Sequence, residues 1–338
     1  MRVDPRPPYR VVSFRIDYPF PTPEEFLSPE LLSLGAAPLD DAARRSLVDW
    51  IAREIRTHYI FPDAGRQMIA ELREHALRGD YATITDGRQF AQTVTRDLRD
   101  VSHDLHLMIF YGQGAFPSGP PPSEADQLAA FRSMNFAEVL PSNIARVVIN
   151  GFMPVDRARA GTAELMTKVA DADALIIDLR DNGGGDPDTV ALVASYLFDS
   201  TPVHLNDMRL HDEGMTAASW TLRDVSGTRF GAKKPVFVLT SGRTISGGEE
   251  LAYDLQSAHR ATVIGETTAG AANAGSVHAL NARFSMFVPG ASPINPFTKT
   301  NWEGKGVGPD VKVPADQALD VAKKMAAERL KAEHASKK

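Results

Sequence analysis

The segment Pro235–Leu251, PVFVLTSGRTISGGEEL, changes its period in mid-run and so decides how the chain folds around it. Its opening residues form a continuous apolar, β-branched run, as a strand buried on both faces requires. A Ser/Gly-rich turn follows, and a helix is expected from about Gly247. Ser246 therefore stands where strand gives way to helix. Two readings fit that position. Ser246 followed three residues later by Glu249 is a capping box, which satisfies helix amides and does nothing else. The same geometry also sets a hydroxyl beside amides that lack intrahelical acceptors, at the positive end of the helix dipole. A tetrahedral oxyanion is stabilised in such a place, and Gly247 and Gly248 leave the approach clear.

Working outward, similar apolar runs occur at Ile144–Ile149, Ala174–Leu179 and Ala261–Ile264. Helical segments are expected between them, at roughly 155–170, 187–198 and 247–258. Strands alternating with helices imply an α/β core, expected over 136–325. Upstream, Leu47, Ile51 and Ile55, then Met68, Ile69 and Leu72, then Phe90, Val94, Leu98 and Val101 recur at helical spacing. They predict a helical N-terminal subdomain over 38–112. Residues 1–37 are proline-rich and read as an extended arm, and 113–135 (with FPSGPPPS) as a proline-rich linker or insert. Residues 326–338 read as a C-terminal tail, in which Lys331–Lys338 is short, basic and frayed.

Composition removes several classes of function. No cysteine is present among the 338 residues, which excludes a thiol nucleophile, disulfides and thiolate metal sites. A net charge of −6 without a basic cluster argues against nucleic acid as a partner. No transmembrane segment is expected, because no apolar run approaches the ~20 residues needed to span a bilayer. Met1–Pro8 carries charges and prolines where a leader would be apolar, so the expectation is a soluble protein, cytoplasmic or exported with its leader removed.

Three further constellations bear on chemistry. In Ala174–Asp186, ALIIDLRDNGGGD, an apolar strand runs into three glycines that bring backbone amides close to a bound group. The spacing is not that of a phosphate loop, and the other reading is a flexible turn. VSHDLHLMIF, residues 101–110, sets His103 and His106 just past the third helix, either of which can act as a base. A metal site on HxxH lacks a further ligand cluster. NWEGKGVGPD, residues 301–310, predicts a structured turn whose Glu303 either orients a histidine or is a solvated acid.

In this order, DLRDNGGG, VLTSGRTISGGEELAYDLQ, RATVIGETTAGAANAG and WEGKGVGPDV resemble the tail-specific (C-terminal-processing) protease superfamily, which includes the tricorn protease core and interphotoreceptor retinoid-binding protein. The likeness covers most of 140–325, and SHDLHL extends it upstream. It implies an α/β fold with a ClpP/crotonase-like spiral core, an N-terminal helical subdomain and no PDZ domain. By the same likeness Ser246 is the nucleophile, and the amides of Gly247 and Gly184 form the oxyanion hole. The tail-specific branch carries a lysine base about 25 residues after the serine, a position occupied here by Ala271. The pattern is closer to the tricorn and retinoid-binding branch, which implies His106 as base and Glu303 as its direct or indirect support, with His103 and His278 in reserve.

Two functions follow. One is a serine peptidase, or another acyl hydrolase, acting on a peptide or protein substrate without a cofactor or metal. The alternative is a non-catalytic binder of hydrophobic, retinoid- or fatty-acid-like ligands on the same fold. A crotonase-like acyl-thioester enzyme rests on fold analogy alone.

Overall fold

The structure, a computed structural model, describes residues 38–112, 123–211 and 216–336, together with the backbone of two short paired strands, β1 (Arg2–Val3) and β2 (Val11–Ser13). The rest of the expected N-terminal arm, and 113–122 of the expected insert, lie outside the described residues.

Three helices open the described chain: α1 (Asp41–His58), α2 (Pro62–Arg78) and α3 (Gly87–Ser102). Asp40 and Asp86 cap α1 and α3 by accepting the amides of Ala43 and Gln89, each at 2.7 Å. The apolar stripes of these helices turn inward as their spacing requires. Leu47, Ile51, Met68, Phe90 and Val94 are buried together with Phe284 and Met286 of a later strand, so the helices pack on a sheet. Residues Glu124–Met134, expected within a linker, form helix α4, started by Ser123, whose hydroxyl accepts the Asp126 amide.

The core sheet has six strands in the order β13-β10-β9-β6-β5-β4. They are β4 (Asn135–Leu140), β5 (Ile144–Ile149), β6 (Ala174–Asp178), β9 (Val236–Thr240), β10 (Thr262–Gly265) and β13 (Val311–Lys312). All neighbours are parallel except the β4–β5 pair. Alternation divides each central strand between two faces. Leu175, Ile177, Val236 and Val238 face the core containing α5 (Val155–Val169), α6 (Pro187–Ser195) and α7 (Gly247–Ser257). Ile176, Phe237 and Leu239 face the last helix, α8 (Ala318–Ser336). The expected boundary before residue 326 therefore falls inside a helix. Ala318, Ala322 and Ala326 lie on one face of α8, where their small side chains let it settle onto the sheet, and the helix continues to Ser336 through most of the stretch expected to fray.

A second, antiparallel sheet was not anticipated. It joins β11 (Ala274–Ala279), β12 (Phe284–Ile294), β7 (His204–Leu210) and β8 (Thr216–Trp220), with β3 (Met108–Tyr111) on β12. Through β3 and β12 this sheet seats the three-helix subdomain and brings the 103–107 turn toward the core. No PDZ-like unit is evident among the described residues, and none of their helices is long and apolar enough to cross a membrane.

Candidate active site

Ser246 lies between β9 and α7, as its sequence requires, and is half-buried. Its backbone adopts φ 56° and ψ −122°, a region that a side-chain-bearing residue occupies only when its surroundings impose it. Two groups impose it here. Glu249 accepts the Ser246 amide at 2.9 Å, and the Asn182 carbonyl accepts the Ile245 amide at 3.1 Å. The capping arrangement and the strained backbone thus coexist at one residue.

The glycine run of 183–185 meets this turn. Asn182 is fully buried, donates to the Ile149 carbonyl and accepts the Gly184 amide, both at 2.8 Å. Gly184 has φ +90°, and a methyl group on it would stand 2.7 Å from Ser246 Cβ and 3.1 Å from Oγ. Gly184 and Ser246 are therefore brought together, but the Gly184 N–H is already spent on Asn182. The amides of Gly185 and Gly247 find no acceptor among the described residues, and Gly185 N lies 3.3 Å from where a Gly247 Cβ would project.

Beyond Ser246, buried Glu249 organises the 268–273 loop. Its carboxylate accepts from Thr268 Oγ1 at 2.5 Å, Gly270 N at 2.7 Å and Ala271 N at 2.9 Å. The backbone of Ala271, at the position where a lysine base would stand, is thereby committed to structure, and its carbonyl accepts from buried Trp302. The next two amides, of Ala272 and Asn273, donate to Glu303 Oε2 at 2.6 and 3.1 Å. Asn273 Nδ2 then donates to Asp104 Oδ2 at 2.9 Å, and Asp104 Oδ1 accepts the His106 amide at 3.0 Å. Tyr59 donates its hydroxyl to the same Asp104 carboxylate at 3.3 Å. A hydrogen-bonded path thus runs from Ser246 through Glu249, the 270–273 backbone, Glu303 and Asp104 to His106.

Electrostatics follow from this crowding. Burial pushes the Glu303 carboxyl up to about 7, with Asp104 and Glu249 adding repulsion against the amides that favour its charge. Burial also raises Asp104 and Glu249 against their hydrogen bonds. His106 is partly exposed as a residue, but its Nδ1 is buried and has no hydrogen-bond partner among the described residues. Burial, helped by Arg99, lowers its pKa to about 4, so the ring is neutral near pH 7. The ring leans on Phe287, with centroids 5.8 Å apart.

The other histidines sort themselves. His103 is exposed and ends α3 in a left-handed conformation, φ 55°. His278 sits on β11 beside Glu54 and His58. The residues missed in the sequence are Asp104, Asn182 and Asn273, all buried polar groups: Asn182 holds the glycine-run backbone, and Asn273 donates to the Asp104 carboxylate. Their one visible signal was position, each lying inside or beside a motif already singled out.

The profile of peptidase family S41 matches residues 143–313, just over half of the chain. The chain belongs to peptidase family S41. It is a serine-type peptidase by that membership, and residues 41–144 match the N-terminal domain of Peptidase_S41 in eukaryotic IRBP. In fold the peptidase is similar to a photosystem II D1 C-terminal processing protease, at 15% identity and a TM-score of 0.54, covering 81% of this chain and 94% of that one. It is similar also to a putative peptidase from Parabacteroides merdae, at 14% identity and 0.56, covering 84% and 96%. The tricorn protease matches at 12% identity and 0.53, covering 86% of this chain and 37% of its own.

Proposed function

We propose that the chain hydrolyses peptide bonds of peptide or protein substrates through an acyl-enzyme on Ser246, with His106 as base and Glu303 as its support. The observation that carries this reading is Ser246 itself. A half-buried serine is held in a strained conformation against a glycine run, beside two amides that have no acceptor among the described residues. A serine serving only as a cap needs none of these features.

Each step follows from group chemistry. Ser246 Oγ attacks the scissile carbonyl carbon while neutral His106 takes its proton. Negative charge develops on the former carbonyl oxygen and is met by the N–H groups of Gly247 and Gly185. Gly185 replaces Gly184 in this role because the Gly184 N–H already serves Asn182. As the C–N bond breaks, the imidazolium returns its proton to the leaving amine. Water then attacks the acyl carbon and gives its proton to His106; as the C–O bond to Ser246 breaks, the imidazolium returns that proton to Ser246 Oγ and the carboxylic acid product leaves. Glu303 acts indirectly, through Asn273 and Asp104, by stabilising the charge that His106 acquires.

A serine-reactive fluorophosphonate distinguishes this reading from a hydrophobic-ligand binder of the same fold. The wild-type chain should gain one covalent adduct by mass spectrometry, and Ser246→Ala should gain none. Equal modification of both, or modification of neither by folded protein, would count against it. One cavity of about 330 Å³ is lined by charged groups including Lys233, Lys234, Arg260 and Asp310, and a more apolar one beside Glu250 measures about 50 Å³.

A further inference from the structure

A second cluster of reactive side chains lies where the helical subdomain meets the antiparallel sheet. Glu54 and His58, one turn apart in α1, face His278 of β11. We propose that Glu54, His58 and His278 form a binding site for a divalent transition-metal ion of the zinc class, which clamps the helical subdomain onto the sheet.

Geometry is the first argument. Glu54 Oε2 lies 3.4 Å from His58 Nε2 and 3.3 Å from His278 Nδ1. Both separations exceed the usual N–H···O hydrogen bond of about 2.7–3.2 Å. They match the edge of a tetrahedron whose centre is about 2.0–2.2 Å from each nitrogen or oxygen ligand, which is about 3.3–3.5 Å. All three ligand atoms lie within 4.8 Å of one another. The remaining edge closes by rotation of His58, the most exposed of the three at 39%.

The surrounding contacts are the second argument. His278 Nε2 is 2.9 Å from Ser276 Oγ, which leaves Nδ1 as the lone-pair nitrogen aimed at Glu54 when Nε2 carries the hydrogen. Metal-binding histidines are commonly oriented in this way through their other ring nitrogen. Glu54 Oε1 accepts twice from Arg53, at 3.2 Å each, so its other oxygen is the one turned to the histidines. The two imidazoles stack with centroids 4.2 Å apart, an arrangement in which two imidazolium ions would repel. Two nitrogens and one carboxylate oxygen suit zinc-class ions, with a fourth position left for water.

Position gives the site its consequence. β11 begins at Ala274, the residue after Asn273, so an ion here would tie α1 to the strand that carries on from the 268–273 loop. Tag-free, chelator-treated protein should bind one Zn²⁺ per chain in a calorimetric titration and show a raised melting temperature. Co²⁺ in its place should give the intense visible bands of tetrahedral coordination. His58→Ala, at an accessible position in the last turn of α1, should abolish one-to-one binding while leaving the metal-free melting temperature near the wild-type value. Ser276→Ala should weaken binding by about 10- to 100-fold. His75→Ala, on α2, should bind as wild type does. Absence of stoichiometric binding to the wild type, or unchanged binding by both His58→Ala and His278→Ala, would overturn the proposal. None of these readouts depends on peptidase activity.

Discussion

Ser246 and His106 are held by opposite means. The serine is fixed by backbone belonging to the α/β core: β9 and α7 flank it, Asn182 and Glu249 bind its turn, and its positive φ leaves little freedom. The histidine stands in a turn of the helical subdomain, tethered by a hydrogen bond from its amide to Asp104 and by contact with Phe287. In the proposed mechanism the nucleophile is preorganised by folding of a single core, and the base depends on how two units dock. Changes at the junction should therefore weaken the base without displacing the nucleophile, and changes in the glycine run should do the reverse.

The largest effect is expected at the serine half. Gly184→Ala forces a side chain onto a residue at φ +90° and into the space of Ser246 Cβ. Displacing a reacting group by about 1 Å costs about 100-fold in rate, so peptidase activity should fall by at least that factor while the circular dichroism spectrum persists. Retained activity would mean that the glycine run is not part of the nucleophile's seat.

Glu303 sharpens the comparison through pH. A carboxyl raised to about 7 is protonated below that value and charged above it, and only the charged form favours an imidazolium. The account therefore expects kcat/KM to rise as pH increases through about 7. Glu303→Gln should flatten that limb and lower the high-pH plateau by about 10-fold, a modest share of the loss expected from removing a general base. A limb that survives the substitution would assign it to another group.

A smaller effect is expected on the far side of α7. Burial beside Asp188 and Asp186 lifts Glu250 from its ordinary 4.5 to about 8, and Asn206 only partly offsets this. The folded state then holds a proton that the unfolded chain releases above about 4.5. Stability should fall as pH rises from about 4.5 to 8. Glu250→Gln should make that slope shallower, with raised Asp254 and Glu303 supplying the remainder, and stabilise the protein by on the order of 1–3 kcal/mol near pH 8. Thermal melts between pH 5 and 9 would show it, and an unaltered slope would contradict it.

The same contrast explains what could be read from the sequence. The parallel core was legible because each strand is a short apolar run followed by a turn and a periodic helix, and Ser246 sits at the junction of two such periods. The antiparallel sheet was hidden because β12 runs through Pro289 and Pro293, residues that normally argue against a strand, with a register shift opposite at Ala274/Gly275. Helix α4 was masked by the prolines before it, and α8 by its polar, lysine-rich outer face. Within the site, the motif carrying Glu303 was visible, but its partners were not. Glu303 reaches the amides of Ala272 and Asn273, and backbone partners leave no mark on side-chain identity. Asp104 lies between His103 and His106 in the sequence, whereas its side chain bonds Tyr59 and Asn273, far away in the chain.

The central claim is that a histidine supplied by the helical subdomain activates a serine supplied by the core. The rate of fluorophosphonate labelling at Ser246 tests it without needing to know the natural substrate. His106→Ala should slow labelling by about 100- to 10,000-fold, the usual contribution of a general base, while His103→Ala labels at nearly the wild-type rate. Labelling of His106→Ala at the wild-type rate would show that the two halves do not work together.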